Sequence, residues 1–239
     1  MRGINVEAQY KWQLKTKPTE AELKTVTAFD AMPPAIAELL WQRGLGDDDA
    51  VTNFMHPNSQ QLHDPFLLND MQKAVERIQS AVEAGEKITV YGDYDADGIT
   101  STTLMRETLE ILGADVNVYV PNRFTDGYGP NLAAYQRIIA DGTQLIVTVD
   151  NGVSGLEPIA YAQEHGVDVV VTDHHELPAE LPKATAIVHP RYPGSDYPFG
   201  DLCGVGVAFK VATALLDEIP YESLDLVAIG TICDLVSLT

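Results

Sequence analysis

A series of short apolar runs alternates with helical stretches from residue 70 onward, and this alternation constrains the fold more than any other feature. Five runs have the length of a strand: Lys87–Tyr91, Val116–Val120, Leu145–Val149, Val167–Thr172 and Ala186–Val188. Mostly apolar strands separated by helices are typical of a parallel sheet covered on both faces. We therefore predict an α/β fold with a doubly wound, mainly parallel five-stranded sheet, because crossovers between parallel strands are right-handed.

The segments between these runs have helical signals. Apolar residues recur at helical spacing from Met71 to Val82, with Asp70 as the predicted N-cap and Gly85 as the stop. Three further helices are predicted, over Ile99–Leu112, Leu132–Ala140 and Leu156–His165. These helices supply the crossovers that a parallel sheet requires.

The first 68 residues lack this alternation and form a separate, mostly helical region with loops. One predicted helix has an apolar stripe formed by Ala35, Ile36, Leu39 and Leu40. Gly44 is its predicted stop, and Asp47 is a suitable N-cap for a second short helix. We predict two parts, a small accessory region at residues 1–68 and the α/β domain at residues 69–239.

Composition limits the class of protein. Apolar residues make up 45% of the chain, and no apolar run approaches the ~20 residues of a membrane span. Two cysteines, Cys203 and Cys233, are too few for a disulfide framework, and no secretory signal is present. We expect a soluble, cytoplasmic protein without a membrane partner. The net charge of −20 argues against DNA binding through Lys and Arg alone, although bound cations reverse the charge of a carboxylate cluster.

Acidic residues follow the first predicted strand, in the segment Asp93-Tyr94-Asp95-Ala96-Asp97-Gly98. Carboxylates at the carboxyl end of a parallel strand lie where α/β proteins bind ligands, and they suit hard divalent cations. A calcium-binding EF-hand loop also begins D-x-D-x-D-G. That interpretation fails because Leu104 stands where the loop needs Glu, and because a strand precedes the motif. A turn in which Asp97 only caps the next helix remains the alternative.

Two further clusters follow predicted strands. Asp150-Asn151-Gly152 comes after Leu145–Val149 and is, taken alone, also an ordinary turn sequence. Asp173-His174-His175 comes after Val167–Thr172, where imidazole suits a transition metal and the carboxylate can orient a ring. A polar turn is the alternative there. The other histidines are scattered and are interpreted as structural or surface residues: His56, His63, His165 and His189.

A fourth candidate carboxylate is Asp234. It follows apolar residues at helical spacing, Leu226, Ile229, Ile232 and Cys233. We expect it to be partly buried, and a buried carboxylate requires a partner such as a metal ion. A simple helix-end carboxylate is the alternative.

The segment Gly204-Val205-Gly206-Val207 resembles half of a phosphate-binding loop. Phe209 occupies the sixth position, where a dinucleotide fingerprint has Gly or Ala, and no Walker lysine follows. We interpret these glycines as allowing close packing at the start of a helix, with a backbone contact to phosphate as an option.

Taken together, the four clusters resemble the DHH phosphoesterase superfamily, and within it the RecJ family. Additional similarity lies in Tyr91–Ser101, Pro121–Gly129, Leu202–Lys210, Trp12, Arg43-Gly44 and Asp64-Pro65. The resemblance covers essentially the whole chain. RecJ proteins continue into a DHHA1-type domain and an oligonucleotide-binding fold, so the resemblance implies that this chain is an N-terminal fragment.

The resemblance also implies a site that holds two divalent cations, Mn²⁺ or Mg²⁺. The implied metal ligands are Asp95, Asp97, Asp150, His174 and Asp234. Two such ions can activate water and stabilise both oxygens of an in-line displacement at phosphorus, and Asp150 is the natural bridging ligand.

Other residues are expected to assist the reaction. Asp93 is expected to support the metal ligands by hydrogen bonding, and Asp173 to orient a histidine. His175 is expected to meet a non-bridging phosphate oxygen or the leaving oxygen. Arg123 is the candidate phosphate clamp, with an ordinary exposed loop arginine as the alternative.

The implied activity is 5′-to-3′ exonuclease action on single-stranded DNA in repair and recombination, releasing 5′-mononucleotides. The expected partners are single-stranded DNA, a single-strand-binding protein and a helicase, and a monomer is expected. Three alternatives stay open. The first is a DHH phosphodiesterase that acts on short oligoribonucleotides, cyclic dinucleotides or pyrophosphate. The second is a non-catalytic scaffold on the same fold, and the third is a metal-binding α/β domain of unrelated chemistry.

Overall fold

The computed structural model describes residues 13–127 and 129–238, which fall into two compact units. The first unit extends to Leu62 and the second begins at His63. The predicted division between residues 68 and 69 stays a prediction. Trp12 and Tyr128, which contribute to the family resemblance, lie outside the described residues.

The first unit is built from short helices. They are α1 (Glu20–Leu23), α2 (Pro34–Gln42) and α3 (Asp48–Met55), packed around Val26, Phe29, Ala37, Leu40 and Val51. Asp47 caps α3 as predicted, and its carboxylate accepts a 2.8 Å hydrogen bond from the Ala50 N–H. The predicted stripe of α2 was partly wrong, because Ile36 and Leu39 are 42% and 53% exposed. A nine-residue helix on a small core buries only a narrow face, here centred on Ala37 and Leu40.

The second unit contains the predicted sheet. Its strands are β1 (Lys87–Tyr91), β2 (Asp115–Tyr119), β3 (Leu145–Val149), β4 (Asp168–Thr172) and β5 (Ala186–Val188). All pairings are parallel, in the order β2-β1-β3-β4-β5. The predicted α/β fold is therefore confirmed. The direction of winding reverses between β1 and β3, and such a switch point is where open α/β sheets bind ligands.

Helices cover both faces of this sheet. They are α4 (Met71–Ala84), α5 (Ala96–Ile111), α6 (Leu132–Ala140), α7 (Leu156–Glu164), α8 (Gly204–Leu216) and α9 (Leu224–Cys233). Helices α4, α5 and α8 share one core with Ile88 and Val90, whereas α6 and α7 share another with Tyr91 and Val169. Successive strand residues thus point into opposite layers. Among the described residues, no helix has the length and apolarity to cross a membrane.

Two predicted helix starts need correction. Asp70 precedes α4, but its backbone is left-handed (φ 51°) and its side chain makes no capping hydrogen bond. Its carboxylate instead lies 2.6 Å from Lys73 Nζ and accepts a bond from the Ile187 N–H. Helix α5 begins at Ala96, three residues before the predicted start, because the Asp95 carboxylate caps it through the Gly98 N–H.

Candidate metal centre and active site

The carboxyl edge of the sheet gathers the predicted site residues. Three groups of side chains each have ligand atoms within 4.8 Å of one another: Asp93, Asp95 and Asp150; Asp150, His174 and His175; and Asp97, His174 and Asp234. Asp150 and His174 each belong to two groups, so the three groups form one continuous cluster. Seven of the nine predicted site residues thus come together, although they lie as far apart in sequence as Asp93 and Asp234.

Several buried polar atoms in this cluster lack a hydrogen-bond partner within the described residues: Asp93 Oδ2, Asp150 Oδ1 and His174 Nε2. His174 Nε2 lies 3.1 Å from Asp150 Oδ1, close enough for an ion pair but without hydrogen-bond geometry. Each unsatisfied buried group costs about 1–3 kcal/mol. Cations held in the ligand groups that contain these atoms would satisfy them, and the oxygen and nitrogen atoms found here are suitable ligands.

The charges of the cluster lead to the same conclusion. Burial, followed by the nearby Asp97 carboxylate, raises the pKa of Asp150 to about 10. Burial also raises the pKa of Asp97 and of Asp93, although backbone N–H groups act in the opposite direction. Adjacent buried carboxylates cannot all ionise without a compensating positive charge. A divalent cation supplies that charge, so the residues present fit such an ion.

The N-terminus of α8 holds Asp97. The Gly204 N–H donates to Asp97 Oδ2 at 2.6 Å, and the Val205 N–H donates to Oδ1 at 2.8 Å. The partial positive charge of a helix N-terminus favours this contact with a carboxylate. Both N–H groups therefore donate to Asp97. The sequence had left a contact with phosphate open for them, but their hydrogen bonds go to this carboxylate.

Two glycines permit the close packing around the carboxylates. A Cβ atom at Gly204 would lie 2.4 Å from Asp150 Oδ1. A Cβ atom at Gly230 would lie 2.7 Å from Asp97 Oδ1 and 2.6 Å from Thr100 Oγ1. Any side chain at either position would displace a carboxylate, so the interpretation of Gly204 as a close-packing residue agrees with the structure.

Asp234 joins the cluster from the end of α9. Its side chain is 26% exposed, and its Oδ2 lies 3.8 Å from His174 Nδ1. The expected partial burial is present, but its predicted cause was wrong. Ile229 and Ile232 are 49% and 61% exposed and do not enclose the carboxylate. The close approach of α9 at Gly230, one turn earlier, brings Asp234 towards the site instead.

Asp173 lies outside the three groups and contacts His175. Its Oδ1 lies 2.8 Å from His175 Nδ1, and the backbone N–H groups of His174 and Val153 also donate to its carboxylate. Burial acts to raise the pKa of Asp173, but the bonds from His175 and the backbone outweigh it, so the pKa is lowered. The same hydrogen bond raises the pKa of His175. The histidine that Asp173 orients through its side chain is therefore His175 and not His174.

Two residues support the histidine motif: His189, interpreted from the sequence as structural or surface, is buried, and Arg191 was missed from the sequence. His189 Nδ1 accepts the Arg191 backbone N–H at 3.0 Å, so Nε2 carries the proton and donates to the His175 carbonyl at 2.8 Å. Burial lowers the pKa of His189, which keeps the ring neutral. The Arg191 guanidinium donates to the His174 carbonyl. Their position directly after β5, at the same sheet edge, was the signal available in the sequence.

Arg123 lies at the rim of the cluster and not within it. It is exposed, and its Cζ lies 5.1 Å from the centre of the Tyr94 ring, a cation–π distance. Asp126 shapes the loop, because its Oδ2 accepts 2.9 Å bonds from the Asn122 N–H and the Tyr119 hydroxyl. The guanidinium is thus presented beside the acidic motif that follows β1.

Comparison with known proteins identifies the family. The DHH family model, N-terminal domain, matches residues 87–231. The chain is 47% identical over 231 residues to the single-stranded-DNA-specific exonuclease RecJ of Bacillus subtilis (strain 168), covering 97% of this chain and 29% of that protein. It is 44% identical to the RecJ exonuclease of Escherichia coli (strain K12), covering 72% of this chain and 32% of that protein. The chain thus spans about a third of the length of these relatives.

A solved structure shares the architecture. The crystal structure of RecJ from Thermus thermophilus in complex with Mn²⁺ matches with a TM-score of 0.72 and 32% identity, over 91% of this chain and 31% of that one. The family match covers residues 87–231, which contain the parallel sheet and most of the clustered strand-end motifs. The chain belongs to the DHH family, and within it resembles the RecJ proteins over nearly its whole length.

Proposed function

We propose that this chain hydrolyses phosphodiester bonds with two divalent cations, Mn²⁺ or Mg²⁺, and that its substrate is single-stranded DNA. The observation that carries the proposal is the overlap of the three ligand groups around buried atoms without hydrogen-bond partners in the described part of the chain. The RecJ relatives, described as single-stranded-DNA-specific exonucleases, and the Mn²⁺ complex of one of them support it. Because the chain covers about a third of these proteins, their whole activity is extended to it by similarity.

We assign the metal ligands within this site as Asp95, Asp97, Asp150, His174 and Asp234. Asp150 is the proposed bridging ligand, since it belongs to two ligand groups and, unlike the imidazole of His174, offers two oxygens that can each bind an ion. Asp93 has a buried Oδ2 without a hydrogen-bond partner among the described residues and shares a group with Asp95, so we propose direct coordination in addition to the expected supporting role. When bound, such a cation pair activates water and stabilises charge on the attacking and leaving oxygens.

The remaining residues act on the substrate. His175, oriented by Asp173, is proposed to donate a hydrogen bond to a non-bridging phosphate oxygen or to the leaving oxygen. Because Nδ1 donates to the Asp173 carboxylate, a hydrogen bond from Nε2 to phosphate requires the imidazolium form. Arg123 is proposed to bind a phosphate through its planar guanidinium, which forms paired hydrogen bonds with phosphate oxygens.

Finer properties rest on the resemblance to RecJ. These are the 5′-to-3′ direction, the release of 5′-mononucleotides, and a role in repair and recombination. A single-strand-binding protein and a helicase as partners, a monomeric state and a cytoplasmic location are proposed on the same ground. The accessory role of residues 1–68 also stays a prediction.

The test is hydrolysis by this chain, with Mn²⁺, of single-stranded DNA, a dinucleotide and pyrophosphate. We expect hydrolysis of the DNA and its loss in Asp150→Ala. Asp141→Ala is the matched control, because Asp141 is an exposed carboxylate that pairs with Lys87 at the start of β1, the opposite end of that strand from the cluster. Preference for a small substrate would favour the other DHH hydrolases. If the intact site binds Mn²⁺ but cleaves none of the three, the scaffold interpretation replaces this proposal.

A crystallographic measurement tests the cations separately. Crystals soaked in Mn²⁺ should give two anomalous peaks between Asp95, Asp150 and His174. A single peak, or peaks elsewhere, would contradict the two-cation site.

A further inference from the structure

Arg191 is an exposed arginine at the edge of the candidate metal centre. It follows β5 by three residues, and its guanidinium donates to the backbone carbonyl of His174. Its backbone N–H is bound to the buried ring of His189. Both ends of the residue are therefore held, so the charged group is presented at a defined place beside the cluster.

The sheet order places Arg191 and Arg123 on opposite sides of the cluster. Arg123 follows β2 and Arg191 follows β5, and these two strands are the outer strands of the sheet. The motifs that contain Asp95, Asp150 and His174 follow the three strands between them. A row of carboxylates and imidazoles thus has one arginine at each end.

The length of this row exceeds one phosphodiester. The Arg123 guanidinium lies beside Tyr94, which follows β1, and the Arg191 guanidinium bonds the carbonyl of His174, which follows β4. Two strand intervals of roughly 4.8 Å separate β1 from β4, which gives about 10 Å. A stacked DNA strand rises ~3.4 Å per nucleotide, so this span corresponds to about three nucleotides. The two arginines can therefore contact different phosphates of one strand.

Positive charge is scarce in this chain, with 15 Lys and Arg against 35 Asp and Glu. Neutralisation of backbone phosphates supplies most of the sequence-independent affinity for DNA. A DNA strand that crosses the acidic carboxyl edge of this sheet therefore needs positive side chains in addition to the bound cations. Guanidinium has five N–H donors, and within the described residues its one acceptor is the His174 carbonyl, which takes a single hydrogen bond. Donors of Arg191 are thus available for a phosphate.

We propose that Arg191 binds a backbone phosphate of the DNA strand, on the side of the metal centre opposite Arg123. The strand then crosses the carboxyl edge of the sheet from β2 to β5. This inference rests on the proposed function, since it assigns one more phosphate contact to the same substrate.

The test compares Arg191→Gln and Arg191→Lys with wild type. Glutamine keeps an N–H donor for the His174 carbonyl but loses the charge, whereas lysine keeps the charge. The substrates are a small aryl ester of thymidine 5′-phosphate, which reaches only the centre, and an oligonucleotide of about a dozen nucleotides, which is long enough to reach both arginines. Arg106→Gln on α5 is the matched control, since Arg106 is an exposed arginine paired with Glu110.

For Arg191→Gln we expect the KM of the oligonucleotide to rise about tenfold, as for one lost charged contact. The slope of log affinity against log salt should become shallower by about 0.7, the value for one phosphate of a single strand. Arg191→Lys should recover most of both effects. The KM of the small ester should change far less, and Arg106→Gln should leave both substrates as in wild type.

A fall in Mn²⁺ affinity and an equal loss on both substrates would overturn the proposal, because Arg191 would then act only by positioning His174. An unchanged salt slope in Arg191→Gln would also overturn it. Failure of wild type to hydrolyse either substrate would instead defeat the proposed function. In that case, the oligonucleotide affinity and its salt slope still decide whether Arg191 binds a phosphate.

Discussion

The two edges of the sheet differ in how their charged side chains are paired. At the amino edge, Arg77 lies 2.6 Å from both Asp168 and Glu86, and Lys87 lies 2.6 Å from Asp141. At the carboxyl edge, the buried carboxylates Asp97 and Asp150 have only the imidazole of His174 within ion-pair distance in the described part of the chain.

This difference separates a stabilising edge from a binding edge. Paired charges at the amino edge join α4 to the sheet, since Arg77 lies on α4 and Asp168 on β4. Buried carboxylates with only one shared imidazole beside them destabilise the protein without metal and favour a cation that replaces their lost hydration. Such perturbed groups in one place are typical of functional sites.

The largest expected effect comes from crowding the binding edge through Gly204→Ala. The new Cβ would displace Asp150, and a misplacement of about 1 Å costs about a hundredfold in rate. Hydrolysis and Mn²⁺ affinity, followed by electron paramagnetic resonance, should both fall. Gly46→Ala is the control, because its Cβ would meet no atom within 4 Å. Wild-type Mn²⁺ binding by Gly204→Ala would show that the close approach to Asp150 is unimportant.

Mn²⁺ should stabilise the protein through the binding edge alone. At a hundredfold excess over its Kd, the ion should add about 2.7 kcal/mol to the free energy of unfolding. Thermal unfolding with and without Mn²⁺ measures the effect. The gain should vanish in Asp150→Ala and persist in Arg77→Gln, and an equal gain in both variants would contradict the comparison.

Arg77→Gln should weaken the amino edge without affecting chemistry. The Arg77 side chain is 19% exposed, so its two ion pairs are partly screened. We expect the free energy of unfolding in urea to fall by roughly 1–3 kcal/mol. The hydrolysis rate per folded molecule should match wild type, and a large drop in that rate would mean that the edges are coupled.

Lys210 gives a separate, pH-dependent test, because this buried cation belongs to neither edge. It is 4% exposed and donates to the His63 carbonyl, and burial lowers its pKa to about 8. Between pH 8 and the usual lysine value of 10.5, the unfolded chain binds more protons than the folded one. Stability from this group therefore rises with pH in that window, by at most about 1.4 kcal/mol per pH unit.

Urea unfolding of wild type and Lys210→Met across this pH range measures the contribution. The difference between the two free energies of unfolding should change with pH in the direction given above. Parallel curves would show that Lys210 titrates alike in both states.

Much of the fold could be predicted because it depends on local periodicity. The bounds of β1, β3 and β5 agree with the predicted runs, and β2 and β4 differ by one residue at their ends. A strand buried on both faces needs apolar residues throughout, and this pattern is visible in the sequence. The orientation of α2 was less predictable, because Ile36 and Leu39 are as apolar as the residue that is buried, Leu40.

The sequence by itself determined the parallel sheet and the strand-end motifs around Asp95, Asp150 and His174, since strand ends and metal-binding side chains are local features. Only the tertiary structure decided how those side chains are held. The Gly204 N–H reaches Asp97 across 107 positions of sequence, and Arg191 supports His174 from the next strand. Such contacts depend on how helices and strands pack, and no periodicity within a single segment encodes them.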